Sequence, residues 1–80
     1  MRKCTIRLTD SAERYAARHQ VEEELAKIEL GPESLTGDLV SLETRDRPHD
    51  FIITSRRWVV SNESTRLELT LDHPVRRGRP

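Results

Sequence analysis

FIITSRRWVV (residues 51–60), SNES (61–64) and TRLELTLDH (65–73) follow one another in the chain and decide its fold. The last segment alternates, with Leu67, Leu69 and Leu71 on one face and polar residues on the other. A period of two is typical of a half-buried antiparallel strand. The polar segment between the two β-type runs predicts a hairpin turn, so residues 51–73 are expected to form an antiparallel hairpin.

The register of this hairpin leaves two alternatives. Counted outward from the turn, Trp58 faces Leu67, which is a favourable cross-strand pair. Continued without interruption, the same register places Ile53 opposite an aspartate. One additional residue near Arg56 would bring Ile53 opposite Leu71, which predicts a β-bulge. The alternative is an uninterrupted strand in which the stem of Arg56 lies along the edge of the core.

A helix is predicted over residues 11–30, which contain neither glycine nor proline. Asp10 is the expected N-cap, with Glu13 completing a capping box. Four residues at helical spacing form one apolar stripe: Ala17, Val21, Leu25 and Ile28. Gly31-Pro32 is expected to end the helix.

Alternation predicts two further strands, at residues 3–8 and 39–44, and places strands of the hairpin at about 50–60 and 65–72. Leu35 is expected beneath the loop that follows the helix, and residues 45–49 are expected to form a polar turn. The predicted fold is a single small α+β domain in β-α-β-β-β order, with one long helix on a mostly antiparallel sheet of three or four strands. The domain is expected to span residues 1–74, followed by a frayed arginine-rich tail at 75–80.

The composition limits the core. The chain has 80 residues, of which 34% are hydrophobic and 35% are charged. A small domain with so few apolar residues is often completed by a second copy or another partner. Cys4 is the only cysteine, and no apolar run is long enough for a signal peptide or a membrane helix. These features predict a cytosolic protein without a membrane partner.

No catalytic residues, metal site or cofactor are predicted. His19, Glu22 and Glu23 share a face of the predicted helix, but His49 and His73 are assigned to separate turns, so a zinc site is not expected. The chain lacks a Gly-x-Ser-x-Gly elbow, and its three glycines form no phosphate-binding loop. The sequence therefore indicates a protein without enzymatic activity.

Arginines supply the candidate binding site. Arginine binds phosphate or carboxylate, and tryptophan offers a surface for stacking. The favoured interpretation, however, is that Trp58 belongs to the core and that the arginines pair with Glu43 and Glu68. The candidate binding residues are Arg45, Arg56, Arg57, Trp58, Arg66, Arg76, Arg77 and Arg79.

Two function hypotheses follow. The first is a small non-catalytic protein–protein interaction module of the cytosol, acting as a homodimer, an adaptor or an inhibitor. The alternative is a nucleic-acid-binding module that uses a basic sheet face and the arginine-rich tail. The formal net charge is +0, which is unlike the basic balance typical of nucleic-acid binders.

Overall fold

The computed structural model describes residues 3–74 and confirms a small α+β domain built on one four-stranded sheet. The elements are β1 (Lys3–Leu8), α1 (Asp10–His19), α2 (Glu22–Ala26), β2 (Leu39–Glu43), β3 (Pro48–Val60) and β4 (Thr65–Asp72). The predicted tail at 75–80, with Arg76, Arg77 and Arg79, lies outside the described residues.

The sheet is mostly antiparallel, as predicted, and has the order β1-β4-β3-β2. Strands β2, β3 and β4 form an antiparallel meander, whereas β1 pairs with β4 in parallel. The parallel pair follows from the helices that connect β1 to the rest of the sheet, since parallel strands need a crossover connection. Strand β3 begins at Pro48, so residues 48 and 49 belong to a strand and not to the predicted turn.

The β-bulge alternative is confirmed. Trp58 pairs with Leu67 and Ile53 pairs with Leu71, and the register shifts by one residue between Ile53 and Ser55. Thr54 is therefore the additional residue. Because side chains alternate between faces, this insertion keeps Ile53 on the same face as Leu67 and Leu71.

The prediction of one continuous helix is wrong. Gln20 adopts the left-handed conformation (φ 58°, ψ 44°) and separates α1 from α2. The amide of Val21 donates to the carbonyl of Ala16 at 3.0 Å, and the amide of Gln20 donates to the carbonyl of Ala17 at 3.3 Å. These two bonds form a Schellman motif, which satisfies carbonyls at the helix end.

The boundaries of the helical region differ from prediction at both ends. Thr9 is the N-cap in place of Asp10, and its hydroxyl accepts a hydrogen bond from the amide of Ala12 at 3.2 Å. Asp10 is instead the first residue of α1, where its charge is favourable to the helix dipole. Helix α2 ends at Ala26, well before Gly31-Pro32.

The core lies between the two helices and one face of the sheet, here called the helix-side face. Ala17, predicted to belong to the apolar stripe of the helix, is exposed. Leu35, predicted to lie beneath its loop, is 57% exposed. No helix within residues 3–74 is long and apolar enough to cross a membrane. The buried apolar residues are Ala12, Ala16, Val21, Leu25, Phe51, Ile53, Leu67, Leu69 and Leu71.

Candidate functional site

The predicted arginine patch does not form one surface. Arg56 pairs with Leu69 on the helix-side face, whereas its neighbour Arg57 pairs with Glu68 on the opposite face, here called the open face. Trp58 returns to the helix-side face, and Arg45 lies in the turn between β2 and β3. A single ligand therefore cannot contact Arg57 and Trp58 through one side of the sheet.

On the open face, three arginines surround one carboxylate. Arg57 binds Glu68 at 2.7 Å, Arg66 approaches it at 3.6 Å and Arg7 at 4.0 Å. The hydrogen bond from Arg57 lowers the pKa of Glu68, and the nearby charges of the arginines lower it further. The predicted pairing with Glu68 is confirmed. The predicted pairing with Glu43 is wrong for residues 3–74, where no ion pair involves that residue.

Arg56 connects the sheet to the loop after α2. Its guanidinium donates to the carbonyl of Pro32 at 2.8 Å. Its Nε atom is buried and has no hydrogen-bond partner within the described part of the chain. The side chain is thus committed to holding the loop on the helix-side face, which makes Arg56 a poor phosphate ligand.

The expectation that Trp58 belongs to the core is wrong. Trp58 is 43% exposed and Val60, two residues further along the same face, is 71% exposed. Both lie near the turn of the hairpin, where the helix-side face is no longer fully covered. Large apolar side chains are also exposed at Leu35 and Leu39, on either side of residues 36–38.

The backbone of β3 has a free edge beside Trp58 and Val60. The amide of Ile53 donates to the carbonyl of Asp38 at 2.9 Å, and the carbonyl of Ile53 accepts from the amide of Gly37 at 2.8 Å. Both groups of Ile53 therefore point away from β4. At the hairpin turn, the amide of Ser61 donates to the carbonyl of Ser64 at 2.9 Å.

Antiparallel strands direct the backbone groups of successive residues alternately to either neighbour. Counted back from the bond between Ser61 and Ser64, this alternation directs Val60, Trp58 and Arg56 away from β4. On the other side of the bulge, the backbone groups of Ile53 also point away from β4, as its bonds to residues 37 and 38 show. Strand β2 pairs with β3 only at residues 48–52, so no strand within residues 3–74 meets these outward groups. We call residues 55–60 of β3 the free edge.

A second cluster brings together histidines that the sequence assigned to separate places. The rings of His19, His49 and His73 surround Tyr15, with centroid distances to Tyr15 of 4.2, 5.6 and 3.7 Å. The hydroxyl of Tyr15 shares a hydrogen bond of 2.6 Å with Nδ1 of His49, which is buried on β3. The spacing of Tyr15 and His19 on one helix turn was the only part of this cluster visible in the sequence.

In this cluster the pKa values of His19 and His73 are lowered, which favours the neutral form of these two rings. Burial lowers the pKa of His19, and the charge of Arg47 lowers it further. Burial also lowers the pKa of His73, with a further contribution from His19. Across residues 3–74, no group of three or more histidine, cysteine or acidic residues has a geometry that could hold a metal ion. The contacts between Tyr15 and the histidine rings are those of aromatic packing at the end of α1.

The sequence matches no protein-family model, no curated protein and no solved structure. The candidate site is accordingly defined by the geometry of the chain itself. That site is the free edge of β3 with the exposed side chains of Trp58 and Val60.

Proposed function

We propose that this protein is a small non-catalytic interaction module of the cytosol that binds an extended segment of a protein along the free edge of β3. The observation that carries the proposal is the coincidence of outward backbone groups and exposed apolar side chains on one stretch of strand. A strand added to such an edge gains main-chain hydrogen bonds, and alternate side chains supply specificity.

Trp58 gives the proposed site its chemical character. Tryptophan is enriched at the centre of protein interfaces, where it buries a large area at a small cost in conformational entropy. Here Trp58 is 43% exposed beside backbone groups that have no strand partner within residues 3–74. Natural proteins usually protect such edges with charge, proline or a covering loop. Val60, at the end of the edge, is apolar and 71% exposed, and so offers no such protection.

The nucleic-acid alternative has less support. Binding of single-stranded nucleic acid combines a basic groove with aromatic stacking on the same surface. In this protein Arg57 and Trp58 lie on opposite faces of the sheet. The charge of Arg57 is also partly neutralised by Glu68 at 2.7 Å.

Selection from a random nine-residue peptide library displayed on phage tests the proposal. We expect enriched peptides to slow amide hydrogen exchange at Arg56, Trp58 and Val60, the residues whose amides point outward. Val60→Pro should abolish this binding, because proline removes one outward donor without removing a bond to β4.

The matched control is Ser41→Pro. Ser41 lies on β2, the edge strand on the same side of the sheet as the free edge, and its backbone points outward by the same alternation, since Val40 bonds inward toward Phe51. Peptide binding should be retained in this variant, and circular dichroism should show that both variants are folded. The proposal is wrong if no peptide is enriched, or if the enriched peptides bind the Val60→Pro variant as tightly as the unchanged protein.

A further inference from the structure

We infer that the segment bound at the free edge is the same segment of a second copy of this chain, in an antiparallel two-fold arrangement with Trp58 opposite Trp58. This inference rests on the proposed function, because it uses the same edge. It adds the identity of the partner and the register of the pairing.

The register follows from which pairings the backbone allows. In an antiparallel pair, outward-directed residues must face outward-directed residues, so Arg56, Trp58 and Val60 can pair only with one another. If the two-fold axis of the dimer passes through Arg56 or Arg57, that arginine lies directly opposite the same arginine of the second copy, which is unfavourable. An axis at 59 or 60 moves the pairing toward the turn and leaves Arg56 without a partner in the strand. An axis at Trp58 alone pairs all of residues 56–60 without opposing like charges.

The side chains agree with this register. Trp58 meets Trp58 of the second copy on the helix-side face, as an aromatic cross-strand pair. Val60 meets the aliphatic stem of Arg56, whose charged end is already held by the carbonyl of Pro32. On the open face, Arg57 meets Val59. Trp58 and Val60, the exposed apolar residues of the free edge, are each covered by a residue of the other copy in this arrangement.

The free edge is bounded by a loop at one end and by the hairpin turn at the other. With the additional residue Thr54 taken into account, Ile53 of one copy lies level with Asn62 of the other. Gly37 and Asp38 are bonded to Ile53, so they end the edge on one side, and the turn at 61–64 ends it on the other. The turn of each copy therefore reaches the loop that carries Leu35 of the other.

Long-range electrostatics do not oppose self-association. The formal net charge of the chain is +0, so two copies do not repel each other as a whole. Arg57, the charged residue nearest the axis on the open face, is paired with Glu68 at 2.7 Å. An interface of five paired residues and their neighbours is small, which indicates a dimer of micromolar affinity.

Sedimentation equilibrium from about 1 to 500 μM measures the association. We expect the unchanged protein to shift from monomer to dimer within this range. Val60→Lys places a charge on the edge and should weaken the dimer at least tenfold. Ser41→Lys adds the same charge on the exposed edge of β2 and should leave dimerisation unchanged.

Cysteine cross-linking tests the register independently of the affinity. In a Cys4→Ser background, Trp58→Cys should form a disulfide-linked dimer on mild oxidation, because paired residues on neighbouring strands are about 5.5 Å apart between Cα atoms. Ser55→Cys is the control, since Ser55 lies opposite Ser61 in this register and should not react with its own copy. Equal cross-linking of the two variants would contradict the register.

The two proposals can fail separately. A protein that remains monomeric to 500 μM but binds selected peptides along β3 would overturn the second copy as the partner and leave the interaction module standing. A monomer that binds no peptide would overturn both. A dimer that Val60→Lys leaves intact, or that Ser41→Lys disrupts, would show that another surface is used.

Discussion

Deletion of Thr54 should remove about half of the stability of this domain. The deletion abolishes the bulge and shifts the strand residues before it by one position, which turns each side chain to the other face. Phe51 and Ile53, now 0% and 1% exposed, would then point to the open face. Burial of one such side chain stabilises a protein by about 1.5–3 kcal/mol, so the two together account for about 3–6 kcal/mol. A domain of this length has a total stability of about 4–12 kcal/mol.

Urea denaturation followed by far-UV circular dichroism and by fluorescence of Trp58, the only tryptophan, measures the loss. Thr54→Ser is the control, because it keeps the number of residues in the strand and changes only an exposed side chain. Its free energy of unfolding should remain within about 0.5 kcal/mol of the unchanged protein. If the free energy of unfolding of the deletion variant lies within about 1 kcal/mol of that of the unchanged protein, the argument that the bulge sets the faces of β3 is refuted.

Two further predictions concern the end of α1. Gln20→Gly should raise the free energy of unfolding by about 0.5–1 kcal/mol, because glycine adopts the positive φ of this position without the steric cost that other residues incur. The control Gln20→Ala should give no gain in a urea titration. An alanine variant more stable than the glycine variant would contradict this prediction. The free energy of unfolding should also fall as the pH is lowered from about 7.5 to 5, since the pKa values of His19 and His73 are depressed in the folded state and the unfolded chain takes up protons first, near their ordinary value of about 6.5. The double variant His19→Gln, His73→Gln should show a flatter dependence in urea titrations at each pH, and an unchanged slope would exclude these rings as its source.

The register of the hairpin was predictable because two signals in the sequence agree. The turn at 61–64 fixes the pairing of Trp58 with Leu67, and the alternation of leucines fixes the buried face of β4. The bulge remained one of two alternatives because an arginine can lie at the edge of a core with or without it. Only the cross-strand pairs on either side of Thr54 show which arrangement the backbone takes.

The break between the helices was not predictable from composition. Left-handed helix ends are usually marked by glycine or asparagine, and here the position is held by Gln20. The incorrect assignment of Trp58 has the same origin, because a helix of 20 residues would have covered more of the sheet than α1 and α2 do. The meeting of the three histidines depends on tertiary structure, since each comes from a different segment of the chain.

The position of Thr9 ties the beginning of the fold to its end. Its hydroxyl caps α1 through Ala12 and donates to the carboxylate of Asp72 at 2.6 Å, 63 residues along the chain. The amide of Thr9 also donates to the carbonyl of Leu71 at 3.0 Å. Neither β1 nor the first turn of α1 can therefore reach its final bonding until β4 has been synthesised and docked. The closing of so long a loop makes folding slow relative to a helical protein of this size, and the domain should open and close as one cooperative unit.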